Sequence, residues 1–123
     1  MSQSVTTFYD NLAEAYRYIF PNWHASVEHQ GKSLNNFIES QGFIASNHNL
    51  YDCTCGIGTQ VFGLALHGWH IHGTDLSPKS IELAHQYITE FNMPHTPSFA
   101  VMDLLKPPAN IQKYDVVVSF DNA

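Results

Sequence analysis

Asp52-Cys53-Thr54-Cys55-Gly56-Ile57-Gly58-Thr59 ends one short apolar run and leads through a helical pattern and a second apolar run to Asp75. The order is strand, glycine loop, helix, strand, acid. These are the parts that lay a nucleotide-like ligand across the carboxyl ends of parallel strands. Gly56 and Gly58 carry no Cβ, so the backbone there can turn sharply and come close to a ligand. Asp75 closes the second strand, at a spacing from the loop that lets a ribose diol donate two hydrogen bonds to its carboxylate.

Outward from the loop, strands and helices alternate. Upstream, Phe8, Leu12, Ala15, Tyr16 and Ile19 recur at spacings of three and four, which predicts a helix over 8–20 stopped by Pro21. A second helix starts near Trp23, carries Val27, Leu34, Phe37 and Ile38 on one face, and ends at Gly42. The first strand is expected over 49–53 and the helix after the loop over 59–67, with Gly68 closing it. A second strand follows over 70–74. Ser77-Pro78 reads as an N-cap with proline at the first helical position, opening a helix through Ile81, Leu83, Ala84, Tyr87 and Ile88 that ends at Met93-Pro94. A third strand is expected over 98–102, a loop at Pro107-Pro108, and a fourth strand over 114–120. Its Val116-Val117-Val118 is apolar enough to be buried on both faces. The fold class is α/β with a parallel sheet: 1–48 form a helical segment of the same domain, and 49–123 its ligand-binding portion.

Composition narrows the function classes. The 123 residues are 44% hydrophobic and 13% charged, enough for one core. Five Lys and Arg against eleven Asp and Glu, a net charge of -6, argue against a nucleic-acid partner and suit a cationic or zwitterionic small ligand. Met1-Ser2-Gln3-Ser4-Val5-Thr6-Thr7 has no basic region leading into an apolar core, and no stretch is apolar enough to cross a membrane, so a cytoplasmic protein is expected. Cys53 and Cys55, one residue apart at a strand-to-loop junction, have poor disulfide geometry and are read as reduced thiols. His70 and His72 share a strand face near His67, yet no spacing completes a tetrahedral set, and no metal is expected.

Taken together, Tyr51-Asp-Cys-Thr-Cys-Gly-Ile-Gly-Thr-Gln60, Gly73-Thr-Asp-Leu-Ser-Pro78, Met102-Asp103 and Tyr114-Asp-Val-Val-Val-Ser-Phe-Asp-Asn122 resemble the first four motifs of the class I S-adenosylmethionine-dependent methyltransferases. Phe8-Tyr9-Asp10 with Leu12-Ala13, and Trp23, further resemble the branch containing glycine and sarcosine N-methyltransferases. The resemblance implies a Rossmann-like sheet, here its N-terminal portion with strands 1 to 4 and flanking helices. It also implies S-adenosylmethionine as cofactor, and methyl transfer to an amine of a small-molecule acceptor. Gly56 and Gly58 would pack under the methionyl part and Asp52 would position its ammonium group. Asp75 would take the ribose hydroxyls, Leu76 would pack on the adenine, Asp103 would accept from the adenine amino group, and Met102 would lie against the ring. Asp121, Asn122 and Ala123 would line the methionyl side, with Trp23 and Tyr16 covering the site. No dedicated acid or base is implied, because the donor supplies an activated methyl group and the protein mainly has to align donor and acceptor.

Two positions depart from the family pattern. Thr54 stands where the first glycine of acid-x-Gly-x-Gly-x-Gly is usual, and His29-Gln30 fall where related enzymes often carry an arginine for the cofactor carboxylate. A nicotinamide dehydrogenase also joins a glycine loop to a ribose acid, but its fingerprint wants a glycine where this chain has Val61. Bland readings stand beside these: Asp75 as a first-turn acid before Ser77, Asp103 as a turn residue, Trp23 and Tyr16 as core. The family's strand order is 3-2-1-4-5-7-6, and this sequence ends just past the fourth strand, so a C-terminally truncated domain is expected. The alternatives to an enzyme are a non-catalytic cofactor binder and a half-domain that self-associates through the exposed fourth strand.

Overall fold

The side-chain oxygen of Asn22 accepts the Ala25 amide at 3.1 Å, and that of Ser77 accepts the Ser80 amide at 3.1 Å. Each satisfies a donor that a helix start would otherwise orphan. The computed structural model describes residues 3–106 and 113–119. In chain order the elements are α1 (Gln3–Tyr16), extended by a 3-10 turn (Arg17–Ile19), α2 (Trp23–Ser40), β1 (Asn49–Asp52), α3 (Thr59–Ala65), β2 (His70–Asp75), α4 (Pro78–Tyr87) with a 3-10 turn (Ile88–Glu90), β3 (Ser98–Val101) and β4 (Val116–Val118). The sheet order is β3-β2-β1-β4, all parallel. Tyr51 pairs with His72 on one side and Val117 on the other, and Asp52 with Gly73 and Val118. This is a Rossmann-like α/β sheet, and it brings the carboxyl ends of β1, β2 and β3 to one edge.

The core lies between one sheet face and the helices. Leu50, Ile71 and Phe99 from the strands meet Val27, Val61, Phe62, Leu64 and Ile81. Phe62 is fully buried and stacks on Phe91 at 4.8 Å, so it contributes about 2–3 kcal/mol. Trp69, the largest fully buried side chain, donates from Nε1 to Asn35 Oδ1 at 2.8 Å, which satisfies the polar end of an otherwise apolar group.

Three expectations about buried faces need correction. Among the described side chains of α1 the buried one is Ala13, whereas Phe8 and Leu12 are exposed, as is Ile19 in the turn that follows. α1 packs on α4 and is tied to it partly by polar contacts, so its apolar periodicity does not mark its inner face. On α2 the buried stripe is Trp23, Val27, Gly31, Asn35 and Ile38, and Phe37 is 63% exposed. The stripe runs through Gly31 because the backbone of α3 closes on that position. β4 is shorter than predicted among the described residues, and Val117 is 60% exposed while Val116 and Val118 pack on the core. Val117 is in register with Tyr51, and Tyr51 with His72, so the three share one face of the sheet. On that face Tyr51 stacks against His72 at 5.8 Å and Tyr114 at 5.1 Å. Burial holds the His72 imidazole below its usual range, which favours the neutral ring. No helix among the described residues is long and apolar enough to cross a membrane.

A polar strap fastens the turn after α1 to the turn after α4. Arg17 donates to both oxygens of Glu90, at 2.8 and 2.9 Å, and its guanidinium stacks 4.8 Å from the ring centres of Trp23 and of Tyr87. The Arg17 bonds hold the Glu90 carboxyl below its ordinary value of 4.5, against a smaller opposing effect of burial. A depressed carboxylate pKa stabilises the fold above the unfolded-state value, and that contribution is lost as the pH falls through the folded-state value. Glu90→Gln is therefore expected to cost about 1 kcal/mol near neutral pH, a modest figure because the pair is partly solvated. Urea unfolding should show the gap between wild type and variant narrowing as the pH falls below 4.5. A gap that persists there would mean that packing, not charge, accounts for the strap.

Candidate functional site at the strand ends

The glycine loop is held by backbone bonds to both neighbouring strands. The Cys53 amide donates to Val118 O at 3.0 Å and the Cys55 amide to Thr74 O at 2.9 Å. Asp52, fully buried, accepts the Thr54 amide on Oδ1 at 3.1 Å, so the acid before the loop fixes the residue that replaces the first glycine. Gly58 N-caps α3 at φ 99°, in the left-handed region that favours glycine. At Gly56 an added Cβ would meet no atom within 4 Å, so the loop has open space over it that a ligand can enter.

Asp75 is where the strand ends meet. Its Oδ2 accepts the Gly56 amide at 2.9 Å, its Oδ1 accepts the Ser77 amide at 3.0 Å, and its backbone carbonyl accepts the Met102 amide at 2.9 Å. The one residue thereby ties the loop after β1, the start of α4 and the segment after β3. A carboxylate has about four acceptor positions, so these two side-chain bonds leave capacity for a ribose diol. Leu76 is half-buried beside it. Met102 is half-buried, and its Sδ accepts the Tyr51 hydroxyl at 3.5 Å. Asp103 closes a local turn, Oδ1 accepting the Leu105 amide at 2.9 Å, which is the bland role weighed for it.

Trp23 sits behind the loop. It is 4% exposed, ringed by Phe62, Tyr87 and Phe91, and donates from Nε1 to Thr59 Oγ1 at 3.1 Å. The geometry supports a hold on the first residue of α3. Asp121, Asn122 and Ala123 lie outside the described residues, as does the side chain of Tyr16. Just before them, Ser119 Oγ is 2.9 Å from Thr54 Oγ1, which joins the end of β4 to the loop. Gln30 turns to Gln60, which donates to its Oε1 at 2.7 Å, and His29 is exposed.

Three contributors escape sequence reasoning. Thr59 receives the indole bond, Thr74 shares a hydrogen bond with the Tyr51 hydroxyl, and Tyr51 reaches Met102 across the sheet. The alternation of β1 could have placed Tyr51 opposite the core face, but not its partners. Burial pushes the Cys55 thiol well up, which keeps it protonated and makes it a poor nucleophile. Among the described residues no group of three or more His, Cys, Asp or Glu could hold a metal ion.

Comparison with known proteins agrees with this geometry. The family described as "Methyltransferase domain" matches residues 50–123, more than half of the chain. Among solved structures, magnesium protoporphyrin IX methyltransferase from Synechocystis PCC 6803 with bound SAH is 28% identical with a TM-score of 0.61, over 77% of this chain and 43% of that one. A TehB-like SAM-dependent methyltransferase from Corynebacterium glutamicum is 22% identical with a TM-score of 0.64, over 93% and 55%. A putative S-adenosyl-L-methionine-dependent methyltransferase from Methanococcus maripaludis is 21% identical with a TM-score of 0.69, over 94% and 50%. This chain thus spans about half the length of each of these structures. No curated protein sequence matches it. A glycine loop pinned to a strand-end acid, in a sheet of order β3-β2-β1-β4 and under a family match over the same residues, leaves one assignment: the chain belongs to the class I S-adenosylmethionine-dependent methyltransferase family.

Proposed function

We propose that the chain forms the cofactor-binding part of a methyltransferase that acts on an amine of a small molecule, in the manner of the glycine and sarcosine N-methyltransferases. The observation that carries the cofactor assignment is Asp75, bonded to the Gly56 amide directly below open space. Asp75 takes the ribose hydroxyls, Gly56 and Gly58 underlie the methionyl part, and Asp52 supplies negative charge near its ammonium group. Leu76 and Met102 flank the adenine, Asp103 accepts from its amino group, Asn122 lines the methionyl side, and Trp23 supports the loop from behind. Bound there, S-adenosylmethionine supplies a sulfonium-activated methyl group. The chain's own residues then bind, orient and exclude water, and none is assigned as acid or base. The acidic balance, with its net charge of -6, favours a cationic or zwitterionic acceptor. Its two free cysteines suit the cytoplasm, where we place it.

Methyl transfer from labelled S-adenosylmethionine to a panel including glycine, sarcosine and larger primary amines tests the reading. Label is expected in an amine. Transfer to hydroxyl or thiol acceptors alone would overturn the amine assignment, and binding without transfer would leave a cofactor binder. A second reading, self-association through β4, is favoured by the 60% exposure of Val117 on a strand that pairs with β1 alone among the described strands. Light scattering is expected to give a dimer or larger species, and a monomer at all concentrations would sink it.

A further inference from the structure

Asp10, on α1, reaches the first turn of α4. Its Oδ1 accepts the Ser77 hydroxyl and, at 3.2 Å, the Lys79 amide. Ser77 is fully buried, and its backbone amide donates to Asp75 Oδ1 at 3.0 Å. Asp75 in turn accepts the Gly56 amide on its other oxygen at 2.9 Å. An unbroken hydrogen-bonded path, Asp10 to Ser77 to Asp75 to Gly56, therefore joins the N-terminal helix to the glycine loop. We propose that Asp10 is a positioning residue for the cofactor site: by fixing Ser77 it sets the orientation of Asp75 and of the loop amide, so that docking of α1 and occupation of the ribose subsite favour each other.

The chemistry of Ser77 makes the path directional. Its hydroxyl has one proton, and donating that proton to Asp10 turns the oxygen lone pairs toward the Ser80 amide, which they accept at 3.1 Å. Asp10 thus completes the N-cap of α4 from another helix, and its negative charge also favours that end of the helix dipole. Asp75 is anchored at two points, one on a loop and one at this cap. If the cap loosens, the Ser77 amide no longer defines where the carboxylate points, and Gly56 loses its fixed acceptor. A second tie between the helices, Lys79 Nζ to Glu14 Oε1 at 3.3 Å, joins α1 to α4 without touching Asp75. It separates simple clamping of α1 from transmission to the site.

The proposal rests on the assignment of Asp75 to the cofactor, and its test reads the path with and without S-adenosylmethionine. Amide hydrogen exchange and calorimetric titration are compared for wild type, Asp10→Ala, Asp10→Asn and Glu14→Gln. In the cofactor-free protein Asp10→Ala is expected to speed exchange of the Gly56 amide about tenfold. It is also expected to weaken S-adenosylmethionine about tenfold, and by reciprocity the cofactor should slow exchange in α1 of wild type but not of this variant. Asp10→Asn keeps a carbonyl that can accept the Ser77 hydroxyl, and should recover most of both effects. Glu14→Gln should speed exchange in α1 without moving Gly56. If Asp10→Ala loosens α1 yet leaves Gly56 exchange and cofactor affinity unchanged, Asp10 is only a clamp and the proposal falls. If wild type does not bind the cofactor but Asp10→Ala still loosens Gly56, the path is upheld and the cofactor assignment of Asp75 is what fails.

Discussion

Asp75→Ala is expected to abolish measurable S-adenosylmethionine binding, lowering affinity at least about 100-fold, which corresponds to about 2.7 kcal/mol. The substitution removes two things at once. One is the acceptor proposed for the ribose diol, a pair of charge-assisted bonds in a site partly shielded from water. The other is the support of the loop, because the Gly56 and Ser77 amides, at 2.9 and 3.0 Å, both lose their acceptor. Bonds to a charged acceptor are worth about 1.5–3 kcal/mol each, so losing two should cost the fold about 3 kcal/mol or more. Asp75→Asn separates the two contributions. Its single carbonyl oxygen can serve Gly56 or Ser77 but not both, so the fold should lose less, whereas binding should still fall about tenfold or more. Calorimetric titration with S-adenosylmethionine and S-adenosylhomocysteine, with circular dichroism to check folding, reads both quantities. Unchanged affinity in a folded Asp75→Ala protein would remove the acid from the site.

What the chain discloses in sequence is mainly its punctuation. Ser77-Pro78 and Gly42 mark their helix ends correctly, because a cap is made by residues within a few positions of each other, whereas α3 ends at Ala65, ahead of Gly68. The strand order β3-β2-β1-β4 was legible only through the family resemblance, whose order begins 3-2-1-4, because alternating strands and helices alone are compatible with more than one order. The buried faces of the helices were less legible. Phe37 has the hydrophobicity of a core residue and is 63% exposed, while Gly31 and Asn35, with neither size nor apolarity to advertise them, lie on the inner stripe. Their burial is decided by partners far away in sequence, Gly63 for one and Trp69 for the other. The site divides in the same way. Asp75 was visible from its spacing to the loop, but its bond to Gly56 and its link through Ser77 to Asp10 depend on three segments meeting in space.

Gly31→Ala is expected to destabilise the fold by about 3 kcal/mol and to lower the melting temperature by roughly 10 °C or more. Helix propensity alone predicts the opposite sign, since alanine is favoured over glycine in a helix interior by about 1 kcal/mol. Packing overrides it, because a Cβ on Gly31 would lie 2.4 Å from Gly63 O and 2.5 Å from its C and Cα. All three are backbone atoms, so no rotamer change relieves the clash and α2 and α3 must separate. Gly63 faces the same constraint, its Cβ meeting Val27 O at 2.6 Å and Gly31 Cα at 2.7 Å. Because the two positions share one contact, the second substitution should cost less once the first has pushed the helices apart, and the double variant should fall short of additivity. The disturbance should reach the site as well: α3 begins at Thr59, directly after the glycine loop, and Thr59 is held from α2 by the Trp23 indole at 3.1 Å. Parting the helices stretches that bond, so cofactor affinity should fall in Gly31→Ala even under conditions where the protein is fully folded. Thermal unfolding of Gly31→Ala, Gly63→Ala and the double variant, beside Asn36→Ala on the exposed side of α2 as a neutral control, decides the matter. A stabilised Gly31→Ala would show that α2 and α3 cross at a distance set by side chains rather than by glycine backbones.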